Sequence, residues 1–469
     1  MTPPSLVSDM QASEQQLVVA VRAKQPERVD RDALPDPNLV LQKIGVTFLS
    51  PDRPEGYLRL FPQDFIVEEI LPDGHVVEIL QAEPFDPSIE DTRTLWADLI
   101  KANLSGPHAV ADLQHLLGLD SQRIGYAGMK DAVAVTSQRV TLRGVTKEQA
   151  EAVESKRLFL RPVRYGNGVL QPGNLKGNRF TLTIRCQSDA PIDTAMQALA
   201  QHGFLNFFGP QRFGPRLNSH IQGKLILQND VEGAIRSFMC EPGSLDLPLY
   251  RDLRLAMNEC FGNWQAMLEI AQHFPFTMRD ELTMLRALIV EPKKTRYAMS
   301  LIKDEIKMLV NAYSSWLINR YLSHLVQTGA PIPAEIPLPF SPNGPLMEYR
   351  DMMAEEGTLS FMEAMAQYPY LQTSTKTIPA KIMPEGLRWE KIPQGWVVRF
   401  SLNKGAYATS CLSHVFRLYE GLPVPPWVQR EEVDGFAVIH EGSIETIKPR
   451  LGTAMTRRDG AEQSAEGQE

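Results

Sequence analysis

Residues 124–142, IGYAGMKDAVAVTSQRVTL, set one carboxylate, Asp131, behind two glycines and a lysine and ahead of an alternating, strand-like run. An aspartate is an anion at neutral pH unless it is buried without a partner, and a short, fixed carboxylate can serve as nucleophile or base. Beside a polyanion such as RNA it would be repelled unless a cation accompanied it. Lys130, Arg139, Arg59 and Arg212 are the candidates for that cation. Gly125 and Gly128 are expected to allow backbone shapes closed to other residues and a ligand's close approach. The plainer alternative is a turn aspartate that only accepts backbone N–H bonds.

A second group, NFFGPQRFG at residues 206–214, interleaves an amide (Asn206), three aromatics including Phe208, and a guanidinium (Arg212) between glycines. Aromatic faces stack on unpaired bases, arginine grips phosphate or carboxylate with a planar fork, and asparagine orients by hydrogen bonds. An aromatic core turn is the competing reading, above all for Phe207. Two further segments, GNLKGNRFTLTIR (173–185) and GAYATS (405–410), are weaker alone: a loop entering a strand and a strand-to-helix turn.

Other chemistries find little support. RGVTKEQ has one glycine before its lysine, which is not phosphate-loop spacing, and neither a GxSxG elbow nor an HxxxH pair occurs. The four cysteines, Cys186, Cys240, Cys260 and Cys411, are far apart and read as reduced packing residues. No apolar run is long enough to span a membrane, and the cytoplasm is the expected compartment. The net charge of −8 argues against a nucleic-acid partner only if charge is evenly spread. Residues 155–185 carry seven Lys or Arg and no acid, as a local phosphate-binding surface would. An ordinary solvated face would have the same composition.

The elements that must hold these groups are visible in outline. Residues 1–40 are polar and weakly periodic and read as a flexible extension. Strand-like runs are expected at 56–70 and 74–80, a helix near 107–117, half-buried strands in SQRVTL and FTLTIR, and a helix at 191–203 opened by proline. From about 230 to 327 the texture is helical, and strand character returns at 395–410. A helical block flanked by sheet suggests a domain inserted into a discontinuous core, and the last twenty residues read as disordered.

Taken together, these segments resemble the TruD family of tRNA pseudouridine synthases. GMKDAVAVTSQ is similar to its GxKDxxAxTxQ signature, NFFGPQRFG to NxFGxQRFG, and GNLKGNRFTLTIR to GxLxGNxFxLxxR. PQDFIVEEI resembles the N-terminal DFxVxE element, NAYSSWLINRYL the helix around an SxxFN motif, and LNKGAYATS the C-terminal strand and aromatic. The resemblance implies an α+β fold: a pseudouridine-synthase-like core with a mainly antiparallel sheet, at 41–224 and 386–450, and an inserted helix-rich RNA-binding TRUD-type domain at 225–385. A disordered tail at 451–469 would complete the chain.

It also implies a function. A uridine in tRNA, at position 13 as in bacterial relatives, would be isomerised to pseudouridine with Asp131 as nucleophile and neither metal nor organic cofactor. Attack at C1′, removal of the 2′ proton and addition at C6 all stay open. Phe65, Asn206 and Tyr407 fall on the family's substrate-contacting positions, with Phe65 and Tyr407 sandwiching the base and Asn206 bonding to Asp131 or the base. Phe208 and Arg212 would support the pocket or bind phosphate, and Lys130 and Gln138 belong to the signature. Arg59 stands where many relatives carry Lys, and Tyr407 where Phe is commoner. No membrane or protein partner is implied. The rivals are an inactive RNA-binding protein of the same fold and a hydrolase, which would need a second acid such as Glu68 or Glu69.

Overall fold

The computed structural model describes residues 4–89, 94–153, 155–187 and 191–459. The fold is α+β, in two compact units: Met1–Pro51 with Leu205–Lys381, and Asp52–Phe204 with Ile382–Glu469.

The second unit is built on a ten-stranded sheet. Its strands are β1 (Glu55–Leu58), β2 (Phe65–Ile70), β3 (Thr94–Ala102), β4 (Ile124–Tyr126), β5 (Val135–Arg143), β6 (Leu158–Tyr165), β7 (Gly177–Arg185), β8 (Glu385–Ile392), β9 (Gly395–Asn403) and β10 (Arg417–Glu420). They run in the order β8-β9-β7-β2-β5-β3-β6, with β1 against β7 and β10 and β4 against β5. All pairings are antiparallel except β2 with β5 and β1 with β10.

Alternate side chains leave a strand on opposite faces, and here both faces are covered. Phe65, Val67, Leu182, Val398 and Phe400 pack with Met196 and Leu199 of the helix Asp193–His202. Ile66, Val135 and Val397 pack with Phe436, Ile444, Leu451 and Met455. Most polar residues of β5 and β7, the strands whose alternation reads as half-buried, therefore do not face water. They pair inside: Asp64 with Arg185 at 2.8 Å, Glu68 with Arg179 at 2.8 Å and Asp98 with Arg139 at 2.6 Å.

Three expectations are corrected in this unit. Residues 74–80 form no strand but meet β2 through one bridge, Ile70 with Val76. Val77 N still donates to Glu69 O at 2.9 Å, and side chains satisfy further backbone groups: Ile79 N–H donates to Glu68, and the Ser137 hydroxyl donates to Val77 O. The C-terminal segment is not a loose tail from 451 onward, because Leu451, Ala454 and Met455 are buried; residues 460–469 lie outside the described residues. In the acid-free run, Arg179 and Arg185 are already matched by Glu68, Glu78 and Asp64, carboxylates brought from other strands and loops. Only Lys156, Arg157, Arg161, Arg164 and Lys176 of that run have no carboxylate partner among the described residues.

The other unit is helical, and its longest helix, Lys303–Thr328, buries Ile306, Leu309, Tyr313, Leu317 and Ile318 in one large apolar cluster. Residues 4–40, expected as part of a flexible extension at 1–40, are not loose. Pro4–Lys24 is a helix whose Leu17, Val18 and Val21 pack on that cluster. Its Glu14 is buried, and the carboxylate accepts from Phe276 N (3.0 Å) and Thr277 N (2.9 Å). The boundary also moves. Residues 41–51 and 205–224, assigned above to the sheet core, belong with the helices, since Ile44, Val46, Phe207, Phe213 and Leu217 join the helical cluster.

Candidate active site

Asp131 lies within the connection between β4 and β5, where its side chain is 40% exposed. Arg59 follows β1 in the left-handed region, φ 60°, a strained geometry for arginine that aims its side chain across the sheet end. The guanidinium bridges two carboxylates, with Nη2 donating to Asp131 Oδ1 at 2.5 Å and Nη1 to Glu420 Oε2 at 2.7 Å. It also lies 3.7 Å from the centroid of the Phe65 ring. Of the four cations proposed for Asp131, Arg59 is the one found there. Lys130 turns inward to Glu69, 2.8 Å from Oε2 although off the angle of a hydrogen bond. Arg139 is taken by Asp98 and Glu83, and Arg212 lies in the helical unit.

Several assigned roles change accordingly. Phe65 is buried, with one ring face against Arg59 and a T-shaped contact with Phe180. In this conformation it is a platform for the cation rather than an open wall of a base sandwich. Lys130, at 4% side-chain exposure, anchors the turn from below and is not presented to a substrate. Gln138 is likewise buried, and its amide donates to Gly128 O at 3.2 Å, bracing the turn. Tyr407, half-buried, starts the helix Ala408–Leu412. Glu68 and Glu69 are buried in ion pairs, so neither is an accessible second acid for hydrolysis.

In the helical unit, Asn206 directs its amide N–H to Pro379 O at 3.0 Å. Arg212 donates to Ser315 Oγ at 3.3 Å, with its guanidinium 5.6 Å from the Phe208 ring. Asn319, fully buried, holds the Phe208 backbone from both sides: its Oδ1 accepts from Phe208 N at 2.8 Å, and its Nδ2 donates to Phe208 O at 2.9 Å. Sequence reasoning did not single out Asn319, although it closes the SSWLIN stretch that carried part of the resemblance. Two other residues were also missed: Glu420, the second anchor of Arg59, and Lys101 beneath the Asp131 turn.

The glycines of the turn differ from expectation too, since neither Gly125 nor Gly128 has positive φ. Gly125 is required by packing, because a Cβ there would overlap the Thr141 hydroxyl and Val169, whereas a Cβ at Gly128 would meet nothing nearer than 4.0 Å. Gly125→Ala is therefore expected to lower unfolding free energy by about 1–3 kcal/mol. Gly128→Ala should leave it unchanged, and urea unfolding of the two variants checks the contrast.

A profile of tRNA pseudouridine synthase D (TruD) matches residues 45–337, more than half of the chain. The chain belongs to the TruD family. A relative from Methanocaldococcus jannaschii, named "Probable tRNA pseudouridine synthase D 1", is 29% identical over 377 residues, covering 76% of this chain and 94% of that one. The tRNA pseudouridine synthase D of Geotalea daltonii is 27% identical over 409 residues, covering 77% and 96%. The crystal structure of a TruD protein from Methanosarcina mazei superposes with a TM-score of 0.62 at 20% identity, over 81% of this chain and 98% of that one, a likeness of fold. The TruD match includes Arg59, Phe65, Lys101, Asp131, Asn206 and Asn319, whereas Tyr407 and Glu420 lie beyond the matched residues.

Proposed function

We propose that this TruD-family chain converts a uridine of tRNA, at position 13, to pseudouridine with Asp131 as the reacting carboxylate. The observation that carries this reading is the exposed Asp131 carboxylate held 2.5 Å from an arginine that is itself fixed by Glu420 and the Phe65 face. The N1–C1′ bond of the uridine breaks, the base turns, and a C5–C1′ bond forms. N1 gains a proton and C5 loses one, so the product is an isomer and nothing is oxidised or reduced.

Arg59 holds and orients the carboxylate, the group that can act as nucleophile or base. When Asp131 loses its charge by bonding to the substrate or taking a proton, Glu420 keeps the guanidinium compensated. That shared arrangement serves attack at C1′, removal of the 2′ proton and addition at C6 alike. The target base must leave its stack first, at about a few kcal/mol. Tyr407 is the aromatic residue assigned to receive it, and Phe65 contributes through the cation on its face.

The test is to incubate the purified chain with unmodified tRNA transcripts and map pseudouridine nucleotide by nucleotide. Modification at position 13 is the expected result. Transcripts that bind and stay unmodified would favour the rival reading of an inactive RNA-binding protein and overturn this one.

A further inference from the structure

Lys101 sits near the end of β3 with no exposed surface. Its ammonium donates to two main-chain carbonyls, Leu104 O and Asp131 O, each at 2.6 Å. These are the short distances of charge-assisted bonds. The same two segments are joined once more where Asn103 N donates to Ala134 O at 3.0 Å.

Neutral N–H donors could satisfy two carbonyls, so a buried ammonium is an expensive means to that end. Burial pulls its pKa down from the usual 10.5 to about 8, opposed by the charge of Asp131 and assisted by that of Lys130. Both of those groups lie on the turn, Lys130 paired with Glu69 and Asp131 with Arg59. Across the sheet Lys101 faces Thr136 on β5 and Leu158 on β6, neither of them charged. Arg157, just before β6, is engaged with Asn103 O. A desolvated cation tied to the main chain of the proposed reacting residue marks a functional position.

We infer that Lys101 is a positioning residue for the reaction: by tying the Asp131 main chain to Leu104 it fixes the point from which the carboxylate reaches the substrate. The inference rests on the reading of Asp131 given above, yet the two fail separately. Turnover by Asp131→Ala would end that reading, whereas the Lys101 inference is decided by the following measurements on wild type and K101M.

With tRNA saturating, K101M keeps its tRNA affinity within about twofold and loses roughly 100-fold in kcat, as expected when a reacting group shifts by about 1 Å. The pH profile separates positioning from mere structural support. Losing the charge above about pH 8 weakens both carbonyl bonds, so wild-type kcat declines through that pH, and K101M lacks the decline. Stability moves the other way. The unfolded chain keeps the proton between about pH 8 and 10.5, so Lys101 adds stability as pH rises through that window. A K101M kcat within about threefold of wild type overturns the inference, since displacement of a reacting group costs far more. A wild-type kcat flat from pH 7 to about 9.5 also overturns it. That profile decides the matter alone if K101M does not fold.

Discussion

Asp131→Ala forms no measurable pseudouridine, a loss of roughly 10⁴-fold or more, while tRNA binding survives. The asymmetry follows from how the site is held. Arg59 does not depend on Asp131 for its place, because Glu420 bonds to its other terminal nitrogen and Phe65 carries its face. Removing the carboxylate leaves that cation fixed in a site meant for a polyanion and removes one source of repulsion. Affinity for tRNA should therefore hold or rise slightly, measured by filter binding at fixed salt, while the same preparation is assayed for product. Asp131→Asn should behave alike in catalysis, since it keeps the shape and an acceptor for Arg59 without a nucleophilic carboxylate. Turnover above about one-hundredth of wild type in either variant would remove Asp131 from the chemistry.

What could be read in the sequence was local. The helix at residues 106–117 announces itself with a serine cap and proline at its start and a left-handed glycine at its end. β5 and β7 alternate plainly enough to be recognised as strands. The sheet's second cover was not legible, so β5 and β7 looked half-exposed and the arginines of residues 155–185 could be read as surface. Their partners are remote: Arg179 and Glu68 are separated by 111 positions, and Arg185 and Asp64 by 121. The N-terminal helix escaped notice for a related reason. Part of its hold on the helical unit is Glu14, a charged residue that composition assigns to solvent. At the site, the nature of the Asp131 partner was open among four cations. Arg59 wins because Lys130 and Arg139 are drawn inward by Glu69 and Asp98. Lys101 was given no role, since a lone lysine near a strand end does not show what its ammonium touches until the chain folds.

The largest stability effect is expected from Asp64→Asn, which should cost about 3–5 kcal/mol in urea unfolding because it strips a buried arginine of its counter-charge. Arg185 has no exposed surface. Nε donates to Asp64 Oδ2 at 2.9 Å and Nη2 to Oδ1 at 2.8 Å, while Nη1 reaches Gln429 O at 2.8 Å and Glu431 O at 2.9 Å. The pair thus joins the start of β2, the end of β7 and the C-terminal segment. Burial pushes the Asp64 carboxyl up, and Arg185 with the Phe61 and Leu60 N–H groups pulls it back. Asparagine matches the shape but cannot balance the cation, so the desolvation of Arg185 is no longer offset. Replacing both partners, as in Asp64→Leu with Arg185→Met, should be less damaging than D64N alone, because no buried charge is left unpaired. If D64N unfolds within about 1 kcal/mol of wild type, water or another carboxylate must reach Arg185, and the pair is not what closes this side of the sheet.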